Sequence, residues 1–224
     1  MNASLDADAV RTMSTEELLD HARAAARELG DYRVRLVKQE RIKGKVLAPQ
    51  TLEATVRSSP PAIRLEFRSG PSAGRKLVYN SQLRPDELRV KEPGLLGLAG
   101  AVWIGLNNPL TRGDTNHAAT ALGYGPFIEL LAHDFELARP AGGHTRQGEG
   151  LDAKGRWVAT YVAPPGARGL SATSAKLTFD LALGMPIALE SRDAKGLVES
   201  YDYELLGKQL QLKDEVFTPE GAGL

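Results

Sequence analysis

The chain has 224 residues, 42% of them apolar and 25% charged, with no cysteine and a formal net charge of zero. That excludes disulfides, thiolate nucleophiles and cysteine-based zinc sites, and it leaves no global field to draw the protein to nucleic acid or a membrane. The length suits one large domain or two small ones, and it can bury a substantial core without covalent staples.

The start, Met1-Asn-Ala-Ser-Leu-Asp-Ala-Asp, has neither a basic n-region nor an apolar h-region. Residues 1–13 are expected to be a flexible segment preceding a single domain over 14–224. Ser14-Thr-Glu-Glu17 reads as a capping box, a hydroxyl cap with a glutamate three positions on. Leu18, Leu19, Ala22, Ala25, Ala26 and Leu29 follow at helical spacing, and Gly30 stops the run.

Alternation with a period of two then takes over. Tyr32, Val34 and Leu36 alternate with Arg33 and Arg35; Leu52, Ala54 and Val56 alternate with Glu53, Thr55 and Arg57. After Pro60-Pro61, Ile63, Leu65 and Phe67 alternate with Arg64, Glu66 and Arg68, and shorter strands follow at Leu77–Tyr79 and Leu88–Val90. A spacing of roughly 10–15 residues suits an antiparallel meander and not βαβ units. Between Arg33 and Lys91 there are 14 Lys and Arg against 5 acids. This excess reads either as solvated outer strand faces or as a basic face for acidic headgroups or an acidic partner.

The segment Pro93–Pro109 breaks the alternation. It is apolar on both faces, with glycines at 94, 97, 100 and 105. Its longest apolar run, Leu95–Leu106, is too short and glycine-rich to span a bilayer, and it matches no phosphate-binding fingerprint. It is either a buried strand or core loop, or the wall of a cavity lined by Leu96, Leu98, Val102, Trp103, Ile104 and Leu106. A polar loop, Thr111–His117, leads to a second helix over about 126–137, with Phe127, Leu130, Leu131 and Phe135 on one side. Strands resume near Arg146, at Trp157–Val162 and at Lys176–Leu181. The turn Asp193-Ala-Lys-Gly196 makes a hairpin, since Gly196 can take the positive φ that a tight turn needs, and a final edge strand is expected after it.

Candidate chemistry is sparse. Asp114, Asn116 and His117 lie close together, but no Gly-x-Ser-x-Gly elbow accompanies them; capping and turn roles fit them better. His21, His117, His133 and His144 include no pair at metal-ligand spacing. Glu129 and His133 are expected to make a surface pair. Tyr32 and Phe67 fall on the apolar side of their strands, away from the arginines, which argues against stacking on nucleic acid. No metal or other cofactor is expected.

The order Gly184-Met-Pro186, strand, Asp193–Gly196 turn, strand and Phe217-Thr-Pro-Glu-Gly221 resembles the closing strands of the LolA-like proteins, bacterial envelope carriers of lipids and lipoproteins. The stretch from Tyr32-Arg-Val-Arg-Leu-Val-Lys through Pro71-Ser-Ala-Gly-Arg-Lys-Leu-Val-Tyr79 resembles a family of unknown function placed in that superfamily. The resemblance implies an α+β fold: a strongly curved antiparallel sheet, an incomplete β-barrel, covering lid helices. It implies a non-enzymatic, monomeric periplasmic carrier whose export signal has been removed. It would bind acyl chains of lipids or lipoproteins, without nucleic acid and without spanning the membrane, and an inner- or outer-membrane protein would donate or accept the cargo. Leu65, Phe67, Phe127 and Leu131 join the segment residues as the expected cavity lining, with Trp103 placed to sense ligand entry. Arg33, Arg35, Arg57, Arg64 and Arg68 all compete for the lid-holding arginine of such carriers. The alternative is an interaction module on the same scaffold with a filled core.

Overall fold

The computed structural model describes residues 4–108, 113 and 115–224. In chain order, helices α1 (Ala7–Thr12) and α2 (Thr15–Glu28) lead into strands β1 (Tyr32–Ile42), β2 (Lys45–Val46), β3 (Gln50–Arg57), β4 (Ala62–Ser69), β5 (Lys76–Asn80), β6 (Glu87–Lys91) and β7 (Val102–Gly105). Helix α3 (Tyr124–Ala138) precedes β8 (Thr145–Leu151), β9 (Trp157–Val162), β10 (Ser174–Asp180), β11 (Met185–Asp193) and β12 (Gly196–Gly207). Short 3-10 turns cover Gly94–Ala99, Ala119–Ala121, Arg139–Ala141 and Asp214–Phe217. The fold is α+β with antiparallel strand pairing, as expected. No helix among the described residues is long and apolar enough to cross a membrane.

The chain forms two compact units. The first joins the residues up to Glu28 with Tyr124–Asp202; the second joins Leu29–Gly123 with Tyr203–Leu224. The first unit holds 16 acids against 11 Lys and Arg, a net charge of −5; the second holds 12 acids against 17, a net of +5.

In the first unit the strand order is β12-β11-β10-β9-β8. The capping box that starts α2 is formed: Ser14 N–H donates to Glu17 Oε2 at 2.7 Å, and Glu17 N–H donates to Ser14 Oγ at 3.2 Å. Leu18, Leu19, Ala22, Ala25 and Ala26 bury one stripe of α2, which packs on β11 and α3. Trp157, Tyr161, Leu177 and Phe179 supply the strand side of this core, and Phe127, Ile128 and Leu131 the α3 side. The segment 1–13, expected to be flexible, contains α1. Asp6 caps it, Leu5 N–H donates to Leu181 O at 2.7 Å, and Arg146 donates to the carbonyls of Val10, Arg11 and Met13.

In the second unit the order is β7-β6-β5-β4-β3-β1, and the last residues of β12 lie beside β1, where Arg35 meets Glu204 at 2.7 Å. Tyr32, Val34, Leu36, Leu52, Leu65 and Leu77 bury the apolar side of the alternation. The opposite face is not all solvated. Ala62 and Val78 are buried there under Phe217 and Ala222, so β5 is buried on both faces where the C-terminal segment crosses it. A final edge strand is expected after the hairpin; Asp214–Phe217 is a 3-10 turn. Phe217 is fully buried, Pro219 brings no N–H to a ladder, and the chain folds back so tightly that a Cβ on Gly221 would stand 1.7 Å from Glu215 O.

Candidate functional site

Two helices and a strand face build the concavities of the first unit. Arg23 of α2 presents its fork to α3, with Nε on Glu129 Oε1 at 2.8 Å and Nη2 on Glu129 Oε2 at 2.8 Å. Glu129 is thus committed to α2, in place of the expected surface pair with His133. Arg139 bonds to Glu136 at 2.6 Å and also to Glu16. These ion pairs border an open groove of about 400 Å³ between α2 and α3, with Leu19, Ala132, Phe135 and His144 in its lining.

A second, smaller cavity lies between α3 and the face of β9–β12. Leu130, Leu131, Phe135, Tyr161, Leu177 and Leu189 give it apolar walls, with Glu199 and Ser191 among its polar groups. Its volume is about 20 Å³, room for roughly one water. Phe135 and His144 line both the groove and this cavity. They stack edge-on with centroids 4.8 Å apart, and Phe135 meets Tyr161 in the same way at 5.0 Å. Burial lowers the pKa of His144 below its ordinary 6.5, and its buried Nδ1 has no hydrogen-bond partner among the described residues. Burial raises the Tyr161 phenol, opposed by the charge of Arg146. Glu199 is only 5% exposed; Tyr201 OH reaches its carboxylate at 3.4 Å. Apolar walls with a few fixed polar groups suit an apolar or amphipathic ligand.

The second unit carries a buried polar cluster on β1. Lys38 and Glu40, 3% and 2% exposed, pair at 2.6 Å. Thr115 Oγ1 accepts from Lys38 Nζ at 2.9 Å and donates to Glu40 Oε1 at 3.2 Å, and Asn116 N–H donates to the same oxygen at 3.1 Å. The arrangement holds the loop before α3 to the strand. Asp114, grouped in the sequence with Asn116 and His117, lies outside the described residues.

The ten expected lining residues divide between the units. Phe127 and Leu131 are buried on α3, and Leu131 alone of the ten lines the small cavity. Leu65 and Phe67 are buried in the second unit, where the Arg75 guanidinium sits 5.5 Å from the Phe67 ring. The Leu96 side chain lies outside the described residues. Leu98 is 82% exposed and Val102 47%; Ile104 and Leu106 are half-buried. The guanidinium groups of Arg84 and Arg89 stand 4.5 and 5.4 Å from the centre of the Trp103 ring. Of the competing arginines, Arg35 pairs with Glu53 and Glu204, Arg57 with Asp214, Arg64 with Glu66, and Arg68 with Glu53 and Glu66. Sequence reasoning placed Leu130 and Phe135 on one helix side and Tyr161 and Leu177 in strands. It had no signal that His144, alone in a loop, joins them.

Residues 29–222 match the sequence pattern of a family described as "Protein of unknown function (DUF1571)". No curated protein matches the sequence. Among solved structures, the chain is similar to an uncharacterised conserved protein from Thermus thermophilus, with 13% identity, 92% of this chain and 93% of that one covered, and a TM-score of 0.48. It is similar to a LolA superfamily protein from Nitrosomonas europaea, with 12% identity, coverage of 94% and 100%, and a TM-score of 0.44. It is also similar to a putative outer membrane lipoprotein-sorting protein domain from Vibrio parahaemolyticus, with 12% identity, coverage of 93% and 97%, and a TM-score of 0.43.

Proposed function

The chain belongs to the DUF1571 family, and from its geometry we propose that it is a bacterial envelope carrier that holds an acyl chain of a lipid or lipoprotein in the first unit, without chemistry. One observation carries this reading: an apolar cavity between α3 and the strand face is separated from the α2–α3 groove by side chains that line both, Phe135 and His144. Swinging Phe135 aside would join the cavity to the groove and admit a chain between α3 and the strands. Each methylene taken from water contributes about 0.8 kcal/mol, so a single long chain offsets the cost of displacing a few core contacts. The likeness of the closing strands to those of LolA-like proteins supports the envelope setting. Release then needs only a change in cavity shape or an acceptor with a better site.

The test is native mass spectrometry of delipidated protein mixed with palmitic acid. The carrier reading expects a one-to-one adduct that survives in wild type and is lost in Ala175→Trp, which fills the cavity wall. No adduct, or an equal adduct in the filled variant, contradicts it. A second reading, an interaction module with a filled core, is favoured by the small volume of the cavity, about 20 Å³; it expects no adduct in either protein.

A further inference from the structure

The second unit contains a feature that its own packing does not use. Just ahead of β7, the strand at the end of this unit's order, the 3-10 turn Gly94–Ala99 holds Leu95 and Leu98 in solvent at 86% and 82% exposure. Residues three apart in a 3-10 turn lie one above the other, so the two leucines project together. Val102, at the start of β7, is also exposed, at 47%.

The turn is held firmly. A Cβ on Gly97 would stand 2.2 Å from Glu92 O, so the turn is folded hard against that carbonyl, and Arg75 ties the Glu92 side chain at 3.0 Å. Gly94 and Gly100 take positive φ of 64° and 82° at its two ends. A tightly built turn that presents two leucines to water is shaped for a partner.

Its surroundings indicate which kind. Trp103 follows on β7, with the guanidinium groups of Arg84 and Arg89 4.5 and 5.4 Å from its ring centre. The whole unit carries a net charge of +5. Two leucines and half a valine fall far short of the roughly 800 Å² per partner that a stable protein interface buries. They are the right size to enter the acyl region of a bilayer, with tryptophan and arginine at headgroup depth. We propose that the Gly94–Ala99 turn is a membrane-contact lip that inserts Leu95 and Leu98 into an anionic lipid surface. This does not depend on the cavity of the first unit being loaded.

The experiment is co-sedimentation of the full chain with vesicles of phosphatidylcholine alone and of phosphatidylcholine mixed with phosphatidylglycerol. The expected result is binding to the mixed vesicles that weakens as salt rises, with a blue shift of Trp103 emission while the fully buried Trp157 stays constant. The double variant Leu95→Asp, Leu98→Asp should bind about tenfold more weakly or worse. Both positions are exposed, so its circular dichroism and melting midpoint should match wild type. Absence of binding by wild type, equal binding by the variant, or a wild-type dimer that the variant turns to monomer without any vesicle binding would each overturn the proposal.

Discussion

The two units are built from the same kind of strand and end with opposite surfaces. Both alternate apolar and polar residues in antiparallel pairs, yet one carries −5 and helices α1, α2 and α3 while the other carries +5 and the exposed leucine turn. The β1 cluster and the α3 face also treat buried polarity differently. On β1 the second unit pairs its buried charge, Lys38 on Glu40 with Thr115 bonded to both, although Gln50 Oε1, Arg57 Nη2 and Arg89 Nε elsewhere in it are buried without a hydrogen-bond partner among the described residues. The first unit leaves a buried imidazole nitrogen without a partner among the described residues, at the wall of a cavity. A satisfied network fixes a loop, whereas an unsatisfied group beside a void marks where a structure can change. Rigidity therefore belongs to the β1 cluster and adaptability to the α3 face.

The sharpest way to break that contrast is to remove one half of the buried pair. Lys38→Met strands the Glu40 carboxylate and should cost about 3–5 kcal/mol in chemical denaturation, while Lys38→Met with Glu40→Leu should recover most of the loss. If the single variant costs nothing, the cluster does not hold the unit. Next comes Phe135→Ala in the first unit, expected to cost about 2–3 kcal/mol for a half-buried ring. It should increase uptake of palmitic acid, because the wall between groove and cavity is thinned; reduced uptake would mean that Phe135 is part of the bound state and not a barrier to it. Arg23→Gln, which cuts the fork to Glu129, should change stability by no more than about 1 kcal/mol, because Glu129 is more than half exposed and screened. A larger loss would show that the helix pair depends on that bridge.

The smallest effect concerns pH. His144 is held neutral by burial, with a folded pKa below 6.5. Its contribution is complete above pH 6.5 and is lost as the pH falls from there through the folded value, because the unfolded state then binds a proton that the folded state resists. The stability of wild type relative to His144→Phe should therefore decline across that acid window and stay level above it. A stability of wild type relative to His144→Phe that rises on acidification would place a buried acceptor beside the ring.

What the sequence could reveal follows from how local each signal is. The capping box at Ser14–Glu17, the alternation from Tyr32 to Phe67 and the hairpin turn at Gly196 are decided by residues within a few positions of each other, and all appear where expected. Burial of Leu177, Thr178 and Phe179 in succession was not legible, because it comes with a register shift between Thr178 and Phe179 that only pairing with β11 reveals. The double burial of β5 and the terminal 3-10 turn depend on Phe217 crossing from more than a hundred residues away. At the candidate site, helix periodicity brought Leu131 into view, but the meeting of Phe135, His144 and Tyr161 joins a helix, a loop and a strand that no spacing rule links. The glycine-rich apolar segment read equally well as core or cavity wall. Leu95 and Leu98 are in solvent, while at Gly97 the backbone of the turn packs against Glu92.

The central claim is that acyl chains enter the first unit. The direct measurement is methyl NMR of leucine-labelled protein titrated with a spin-labelled stearic acid, read as paramagnetic broadening. Leu130, Leu131, Leu177 and Leu189, which line the small cavity, should broaden strongly at one equivalent, while Leu36, Leu52 and Leu65 of the second unit's core stay sharp. Broadening confined to the second unit, or none at saturating ligand, would contradict the account.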